Sequence, residues 1–343
     1  MWLVSRKFDI ALVAGPLAVA FLALLFWQRL GIGEPLWAYL LFFVSFDVAH
    51  VWATGFLTYF DKAAFAERRL LFTAPIFLFF VLAAAVHFVS ETWFWTAIAY
   101  FAIFHFVRQQ YGFIAIYRVL AGEKEGALLD KIAIYTGAIG PVLLWHAEPR
   151  GQFDWWQNGE RFLFHLPTSA NVLIYIIMAV VFVFWLAKQR RPVNLGKMLW
   201  MVGTWVSWYV GLRYADNLLV SAAFLNLFHG LPFLVLVWLR GQERARMHPQ
   251  RKISAWFQPG KWIYYYGVLV ALAAAEELLW DGLVWHSYLG AIDLTLSHSA
   301  KALLVALLVT PQLVHYFLDG VLWKNTPHNQ DFRTMLERAR ARN

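Results

Sequence analysis

Long apolar segments dominate this chain, and they constrain its fold more than any other feature. A helix that crosses a bilayer needs about 20 mostly apolar residues, and ten segments of about that length follow one another along the sequence. They cover residues 9–29, 35–59, 70–90, 93–118, 128–147, 169–188, 197–213, 216–239, 262–280 and 299–322. We therefore expect an all-α, polytopic integral membrane bundle that forms one domain over residues 1–343.

The composition supports a membrane protein and excludes several kinds of site. Hydrophobic residues make up 61% of the chain and charged residues only 15%, whereas soluble domains carry about 25% charged residues. The absence of cysteine excludes disulfides, thiolate metal ligands and cysteine nucleophiles. In a chain this apolar we attribute the net charge of +8 to basic cytoplasmic loops, and we expect no nucleic-acid partner.

The lysines and arginines predict an orientation. If the N-terminus is cytoplasmic, 23 of the 29 basic residues fall in segments on the inner side and 5 on the outer side. The excess alternates with every connection, as the positive-inside rule requires. The sequence therefore predicts ten spans with both termini in the cytoplasm, and we expect a bacterial inner-membrane protein.

Four of the apolar segments carry a histidine with an oxygen-bearing residue one helical turn away. The pairs are Asp47 with His50, His105 with Gln109, Asn226 with His229, and His315 with Asp319. All four lie on even-numbered spans, which run in the same direction. Counted from the expected cytoplasmic ends, the four histidines fall within a layer on the order of 9 Å thick. Ionisable groups at membrane depth are costly and usually face a bundle interior, so the pattern predicts one shared buried site.

The other histidines do not fit this layer. His87 and His146 lie near the expected outer ends of their spans, where an interfacial position is the ordinary interpretation. A second, outer site that includes His87 stays open at this point. The remaining five fall in loops or terminal segments: His165, His248, His286, His298 and His328.

Histidine ligands without thiolates suit iron, copper, zinc or nickel, and iron is the metal we favour. Three kinds of site remain open. One is a mononuclear four-histidine site, a second is a dinuclear site in which Asp47 and Asp319 are further ligands, and a third is a haem held by two histidines. The side chains of Gln109 and Asn226 are expected to orient the ligand rings, since ligating histidines usually donate their other N–H to an oxygen.

Arg108 and Tyr111 are the candidate catalytic residues. Arg108 lies ten residues before the expected end of its span, which is too deep for ordinary snorkelling to the interface. It is expected to pair with Asp47 or Asp319, or to bind an anionic group of a substrate or of haem. Tyr111 is a candidate proton donor. The many aromatic residues on these helices suit a tunnel for a long apolar or polyene substrate.

The stretches "DVAH", which ends at His50, and "FHGLPF", around His229, resemble the Brp/Blh group of carotene-cleaving dioxygenases. In that group histidines from several membrane helices hold one iron. The resemblance implies that His50, His105, His229 and His315 are iron ligands. Membrane desaturases and hydroxylases use HxxxH and HxxHH boxes, which this sequence lacks, and the wider pattern of haem A synthases is also missing.

The leading hypothesis is a membrane-embedded, iron-dependent oxidoreductase or oxygenase that acts on a lipid-like or polyene substrate. Its expected partners are a hydrophobic small molecule, the lipid bilayer and, as a further candidate, a redox partner protein. One alternative is a proton- or metal-coupled transporter, in which the polar residues at membrane depth form the pathway. The other alternative is a bis-histidine haem protein.

Overall fold

The computed structural model describes residues 1–30, 35–148, 162–190, 192–215, 218–286 and 296–343, and within them every regular element is helical. The α-helices are α1 (Arg6–Leu30), α2 (Leu36–Tyr39), α3 (Ala49–Leu57), α4 (Lys62–Glu67), α5 (Arg69–Val89), α6 (Glu91–Ala121), α7 (Ala127–Ala147), α8 (Ala170–Ala187), α9 (Leu195–Arg213), α10 (Leu218–Met247), α11 (Trp262–Trp280), α12 (His298–Leu322) and α13 (Gln330–Ala341). The all-α prediction is confirmed.

Each of the ten apolar segments contains helix, with ends within a few residues of the predicted ones in most cases. In the described part of the chain, seven helical stretches are long and apolar enough to cross a membrane. They are α1, the stretch from α2 to α3, α5, α7, α8, α10 and α12. The fold is therefore that of a membrane helical bundle. Arg150, Arg161 and Arg191, which entered the charge count, lie outside the described residues.

The second apolar segment is not the regular helix that its sequence suggests. Between α2 and α3 the backbone forms a nine-residue π-helix, Leu40–Val48, which contains Asp47 and ends just before His50. The Ser45 hydroxyl donates to the Leu40 carbonyl at 2.8 Å, and the Ser45 carbonyl accepts from the Tyr266 hydroxyl at 3.1 Å. The π-helix is rare and occurs mostly as single-turn bulges within α-helices, and such bulges are frequently found at functional sites.

Helix α10 is the central element of the bundle. It packs against α1, α9, the π-helix and α3, and 89% of its apolar window is buried. Gly230 allows one of these contacts, because a Cβ there would lie 2.2 Å from the Phe46 carbonyl oxygen. The helix also runs on to Met247, whereas the sequence suggested a loop from residue 240. The backbone stays helical through Pro232.

A buried ion-pair network closes one end of the bundle. Arg240 and Arg244 on α10 donate to the two carboxylate oxygens of Asp331, both at 2.8 Å. Arg244 also lies 3.2 Å from Asp61, which caps α4. Helix α13 is thereby fixed against α10, with one face buried. Both arginines lie beyond the predicted end of this span at residue 239, but the helical extension of α10 carries them into the protein interior.

Candidate metal centre

The rings of the four histidines from the even-numbered segments meet in the centre of the bundle. The Nε2 atoms of His50 and His229 lie 3.0 Å apart, and those of His105 and His315 lie 3.2 Å apart. The ring centroid of His105 lies 5.0 Å from that of His229 and 4.8 Å from that of His315. All four side chains are buried, with at most 5% of any residue exposed. We call these four residues the histidine cluster.

The cluster draws one ring from each of four helices: α3, α6, α10 and α12. The ligand atoms of His50, His105 and His229 all lie within 4.8 Å of one another, and so do those of His105, His315 and Asp319. Both groups share His105, so the two sets adjoin. The convergence that the depth count predicts is therefore present in the structure, while the binding of a metal stays a prediction.

His315 is the most firmly oriented ring of the cluster. Its Nδ1 is 2.8 Å from the Thr54 hydroxyl, which leaves Nε2 directed at His105. Thr54 lies one turn after His50 on α3, so one short helix supplies both a ring and the support of another ring. Such a hydroxyl holds the ring plane in the way that outer partners hold ligands in metal sites.

The two acidic candidates occupy different sides of the cluster. Asp319 Oδ2 lies 3.7 Å from His315 Nε2 and 3.9 Å from His105 Nε2, on the side where the Nε2 atoms meet. Its other oxygen accepts from Trp323 Nε1 at 3.2 Å. Asp47 instead lies 3.7 Å from His50 Nδ1, behind that ring. This placement favours Asp319 as a further ligand and Asp47 as an outer positioning group.

The two amide candidates do not bond to the cluster rings. Gln109 Nε2 donates to the backbone carbonyl of His229 at 2.8 Å, and thus joins α6 to α10. Asn226 is buried one turn before His229 and makes no hydrogen bond to any of the four rings. The expectation that these amides orient ring N–H groups is therefore not met by this geometry. Gln109 acts on the backbone that carries His229.

Aromatic side chains enclose the cluster. Phe106 stacks on His229 with ring centroids 3.8 Å apart, and Tyr316 stacks on His105 at 4.2 Å. Phe233 presents its edge or face to both His50 and His315, at 5.5 Å and 5.3 Å. These rings exclude water and lock the imidazole planes, which leaves the cluster in a low-dielectric environment.

Arg108 and Tyr111 both line a cavity beside the cluster, but neither contacts it directly. Arg108 is exposed to this space and, among the described residues, makes no ion pair with Asp47, Asp319 or any other carboxylate. Tyr111 faces Tyr135 of α7, with ring centroids 6.3 Å apart. The tyrosine that stacks on His105 is Tyr316, which was not among the predicted site residues.

The cavity has a volume of about 620 Å³ and runs along α5, α6 and α12. His105, Asp319 and Tyr316 form part of its wall, so it reaches the histidine cluster from one side. The rest of the wall is mostly apolar and aromatic, and Phe101 and Phe104 are half-exposed on the outer surface of the bundle. The cavity is therefore a mostly apolar space that adjoins the cluster on the side of His105.

Two pairs of ring nitrogens in the cluster have the spacing of neighbouring ligands on one metal ion, although no group of ligand atoms within 4.8 Å in the described residues holds all four histidines. Metal–imidazole bonds measure about 2.0–2.1 Å, which puts the nitrogens of neighbouring ligands about 3.0–3.4 Å apart. The two Nε2 pairs at 3.0 and 3.2 Å match this spacing. Axial ligands on opposite faces of a haem would instead stand about 4 Å apart, with the porphyrin between them. The two measured pairs are therefore closer together than two axial ligands of one haem.

Two further histidines, His87 and His146, lie in the last turns of α5 and α7 and are buried within the protein. His146 bonds to the Tyr100 hydroxyl and to the Val142 carbonyl, and it is 1% exposed. His87 packs against Phe94 and Trp95, is fully buried, and has no hydrogen-bond partner on either ring nitrogen among the described residues. Neither belongs to a group of three or more potential ligands in the described chain.

Two acidic residues that were not among the predicted site residues lie in the apolar segment that forms α11. Glu276 and Glu277 lie near the end of α11, where Glu276 accepts from Trp52 at 2.7 Å and Glu277 accepts from the Tyr39 hydroxyl at 2.5 Å. Glu277 also acts electrostatically on Asp47. Like Asp47, both are charged residues inside an apolar segment, so the sequence alone is enough to identify them.

In comparisons with protein-family models, curated proteins and solved structures, no match to this chain was found. The resemblance to the Brp/Blh group therefore stays a prediction from short sequence stretches. Any assignment of function depends on the arrangement of the side chains themselves.

Proposed function

We propose that this protein is a membrane-embedded metalloenzyme, an oxidoreductase or oxygenase that acts on a lipid-like or polyene substrate. The metal is a transition metal, with iron as the first candidate. Its ligands are the four residues of the histidine cluster, and Asp319 is the candidate for a further position. The observation that carries the proposal is the convergence of four buried imidazole rings, in which two pairs of Nε2 atoms lie at ligand spacing.

The donor set also supports this class. Four neutral imidazoles and a carboxylate without thiolates suit iron and its neighbours in the transition series. When bound, such an ion supplies Lewis-acid and electron-transfer chemistry towards dioxygen. The chain itself holds the rings through Thr54, excludes water through Phe106 and Phe233, and leaves the His105 side open to the lateral cavity.

We further propose the ten-span arrangement with both termini in the cytoplasm, in a bacterial inner membrane. Ten helical segments and the 23-to-5 distribution of basic residues support it. In this orientation α3, α6, α10 and α12 run inwards together. The ion-pair network of Arg240, Arg244 and Asp331 then lies at the cytoplasmic end of the bundle.

A transporter is the second candidate, and the acidic residues of α11 favour it. Glu276 and Glu277 lie in an apolar segment, and Glu277 interacts electrostatically with Asp47, which contacts His50 of the cluster. Ionisable residues in such positions often line ion or proton pathways. Uptake of a metal ion or proton into proteoliposomes distinguishes this function from an enzyme, since the enzyme transports neither.

Elemental analysis of the gently purified protein tests the leading proposal. We expect close to one transition-metal ion per chain, and at least a tenfold lower content in His229→Ala, because the remaining rings cannot close the site. His87→Ala is the matched control, since His87 is equally buried but lies outside the cluster. The visible spectrum of the same sample should lack a haem Soret band.

Two results would contradict the proposal. One is a wild-type protein without stoichiometric metal after purification under conditions that retain loosely bound ions. The other is a metal content that His229→Ala leaves unchanged. A Soret band that disappears in His50→Ala would instead support the haem alternative.

A further inference from the structure

In the proposed ten-span arrangement Arg108 is a cation at membrane depth, and the described part of the chain gives it no counterion. It lies 17 residues from the start of α6 and 13 from its end, so neither membrane surface is near. A lone charge at this depth is costly. The nearest candidate partner on α12, Asp319, forms its contacts with His105, His315 and Trp323 instead.

Snorkelling does not explain Arg108. Its guanidinium lies over the ring of Phe104, 5.6 Å from the ring centroid. Phe104 is one turn nearer to the N-terminal end of α6, so the side chain runs back along the helix and does not extend towards the C-terminal end. It thereby reaches the level of His105, which is also one turn before Arg108.

The guanidinium faces open space inside the cavity. A Cβ placed on Gly320 would have only this group in its neighbourhood, at 3.9 Å, and a Cβ on Gly112 would meet nothing within 4 Å. Both glycines line the cavity. They keep clear the space next to Arg108.

We infer that the cavity binds a single-chain lipid with a carboxylate head, and that Arg108 binds this head. The inference rests on the proposed function, because it names the substrate class of the same site. Bidentate pairing with a carboxylate satisfies the geometry and the charge of a guanidinium. A carboxylate carries one negative charge, which one arginine neutralises, whereas a phosphate monoester carries about −1.5 to −2 and would keep an uncompensated charge in the membrane.

The lining of the cavity indicates where the chain lies. On the N-terminal side of Arg108 the wall is apolar, with Leu82, Val86, Phe94, Ile98 and Phe101. On the other side the wall includes Tyr111, Lys324 and Asn325. A tail that extends into the apolar half from Arg108 passes His105 and Tyr316 within its first carbons. The part of the substrate presented to the histidine cluster is therefore the part next to its head.

Binding of cis-parinarate, a fluorescent polyene fatty acid, tests this inference. We expect stearate to displace it from the purified wild-type protein, and methyl stearate to compete at least about tenfold more weakly because the ester has no charge. Arg108→Gln should remove this preference by weakening stearate, while methyl stearate is unaffected. Arg108→Lys should keep a large part of it.

Two further variants locate the head and the chain. Gly320→Leu fills the space beside Arg108 and should abolish binding of both competitors, whereas Gly267→Leu, on α11 with equally open space and outside the cavity, should not. Lys324→Gln should leave the preference for stearate intact. Loss of the preference in Lys324→Gln but not in Arg108→Gln would overturn the assignment of the head to Arg108.

Equal competition by stearate and methyl stearate in the wild type would overturn the inference that the head group is a carboxylate. Stronger competition by lysophosphatidate than by stearate would overturn it as well. Metal content measured on the same samples keeps the two proposals apart. A protein with metal but no preference for stearate refutes the inference alone, whereas a protein without metal refutes the proposed function.

Discussion

Single hydrogen bonds decide how the cluster rings are held. Thr54 is the clearest case, since its hydroxyl is the only side-chain partner that the described structure gives to His315 Nδ1. The four histidines could be predicted from sequence because a polar residue in an apolar segment is conspicuous. Thr54 could not, because threonine is ordinary in a membrane helix and its partner lies 261 residues away.

Thr54→Val should therefore weaken metal binding by about 10- to 100-fold, the usual effect of losing an outer partner of a ligand. The valine keeps the shape of the side chain and removes only the hydroxyl. Competition with a calibrated chelator measures the affinity. Thr310→Val is the control, because the Thr310 hydroxyl bonds only to Ala306 of its own helix. Equal affinity of Thr54→Val and wild type would show that His315 does not need this bond.

Asp47 and Asp319 also differ in their contacts with the cluster. The sequence placed Asp47 and Asp319 symmetrically, one turn from a histidine each. The structure separates them, because Asp319 reaches the Nε2 side of its neighbours and Asp47 lies behind His50. Spacing along a helix puts two residues on one face, but it does not determine which ring nitrogen meets the carboxylate.

Among the elements, the π-helix and α10 form the contact that positions two rings of the cluster. Gly230 immediately follows His229, and the Phe46 carbonyl occupies the place where a side chain would begin. The ten helical segments followed from hydrophobicity alone. The π-helix did not, because its nine residues are as apolar as a regular span and its distortion depends on neighbours such as Tyr266.

Gly230→Ala should push α10 away from the π-helix, since its Cβ would lie 2.2 Å from a backbone oxygen. We expect a loss of stability of about 1–3 kcal/mol, typical of overpacking, together with reduced metal content because His50 and His229 move apart. Thermal unfolding in detergent measures the first effect. The control is Gly267→Ala, where no atom lies within 4 Å. An unchanged melting temperature in Gly230→Ala would contradict the close packing.

Helix α13 depends on the ion pairs of Asp331. Burial by itself raises the pKa of the Asp331 carboxyl, but Arg240 and Arg244 lower it more strongly, so the pKa lies below its ordinary value. The stabilisation is therefore complete above the ordinary value of about 4 and is lost as the pH falls below it. We expect hydrogen exchange, corrected for its intrinsic pH dependence, to show α13 loosening only in that acidic range. Loosening that begins near pH 6 would point to a different group.

Asp331→Asn should loosen α13 at neutral pH, because it removes a charge that two buried arginines share. Breaking such a buried pair costs about 3–5 kcal/mol. Glu337→Gln on the same helix is the control, since its partner Arg333 is exposed and the pair contributes at most about 1 kcal/mol. Limited proteolysis of the C-terminal segment compares the two. Equal protection of both variants would contradict the assigned role of Asp331.

The proposed topology of the whole molecule rests on the distribution of lysines and arginines. It can be tested by cysteine labelling because the chain has no cysteine of its own. In the ten-span arrangement Lys124 lies inside and Thr168 outside. If only the seven most apolar stretches cross the membrane, the sides of both residues are reversed. A membrane-impermeant maleimide applied to intact cells should therefore label Thr168→Cys and not Lys124→Cys. The reverse result would contradict ten spans.

We propose that four helices bring four imidazoles to one metal ion. X-ray absorption spectroscopy at the edge of the bound metal tests this claim most directly, because it counts imidazole ligands and measures their distances. We predict an ion with histidine nitrogens at about 2.0–2.2 Å, no sulfur, and one imidazole fewer in each single histidine-to-alanine variant that retains metal. Metal bound without imidazole, or four rings that hydrogen-bond to one another in a metal-free protein, would contradict the account.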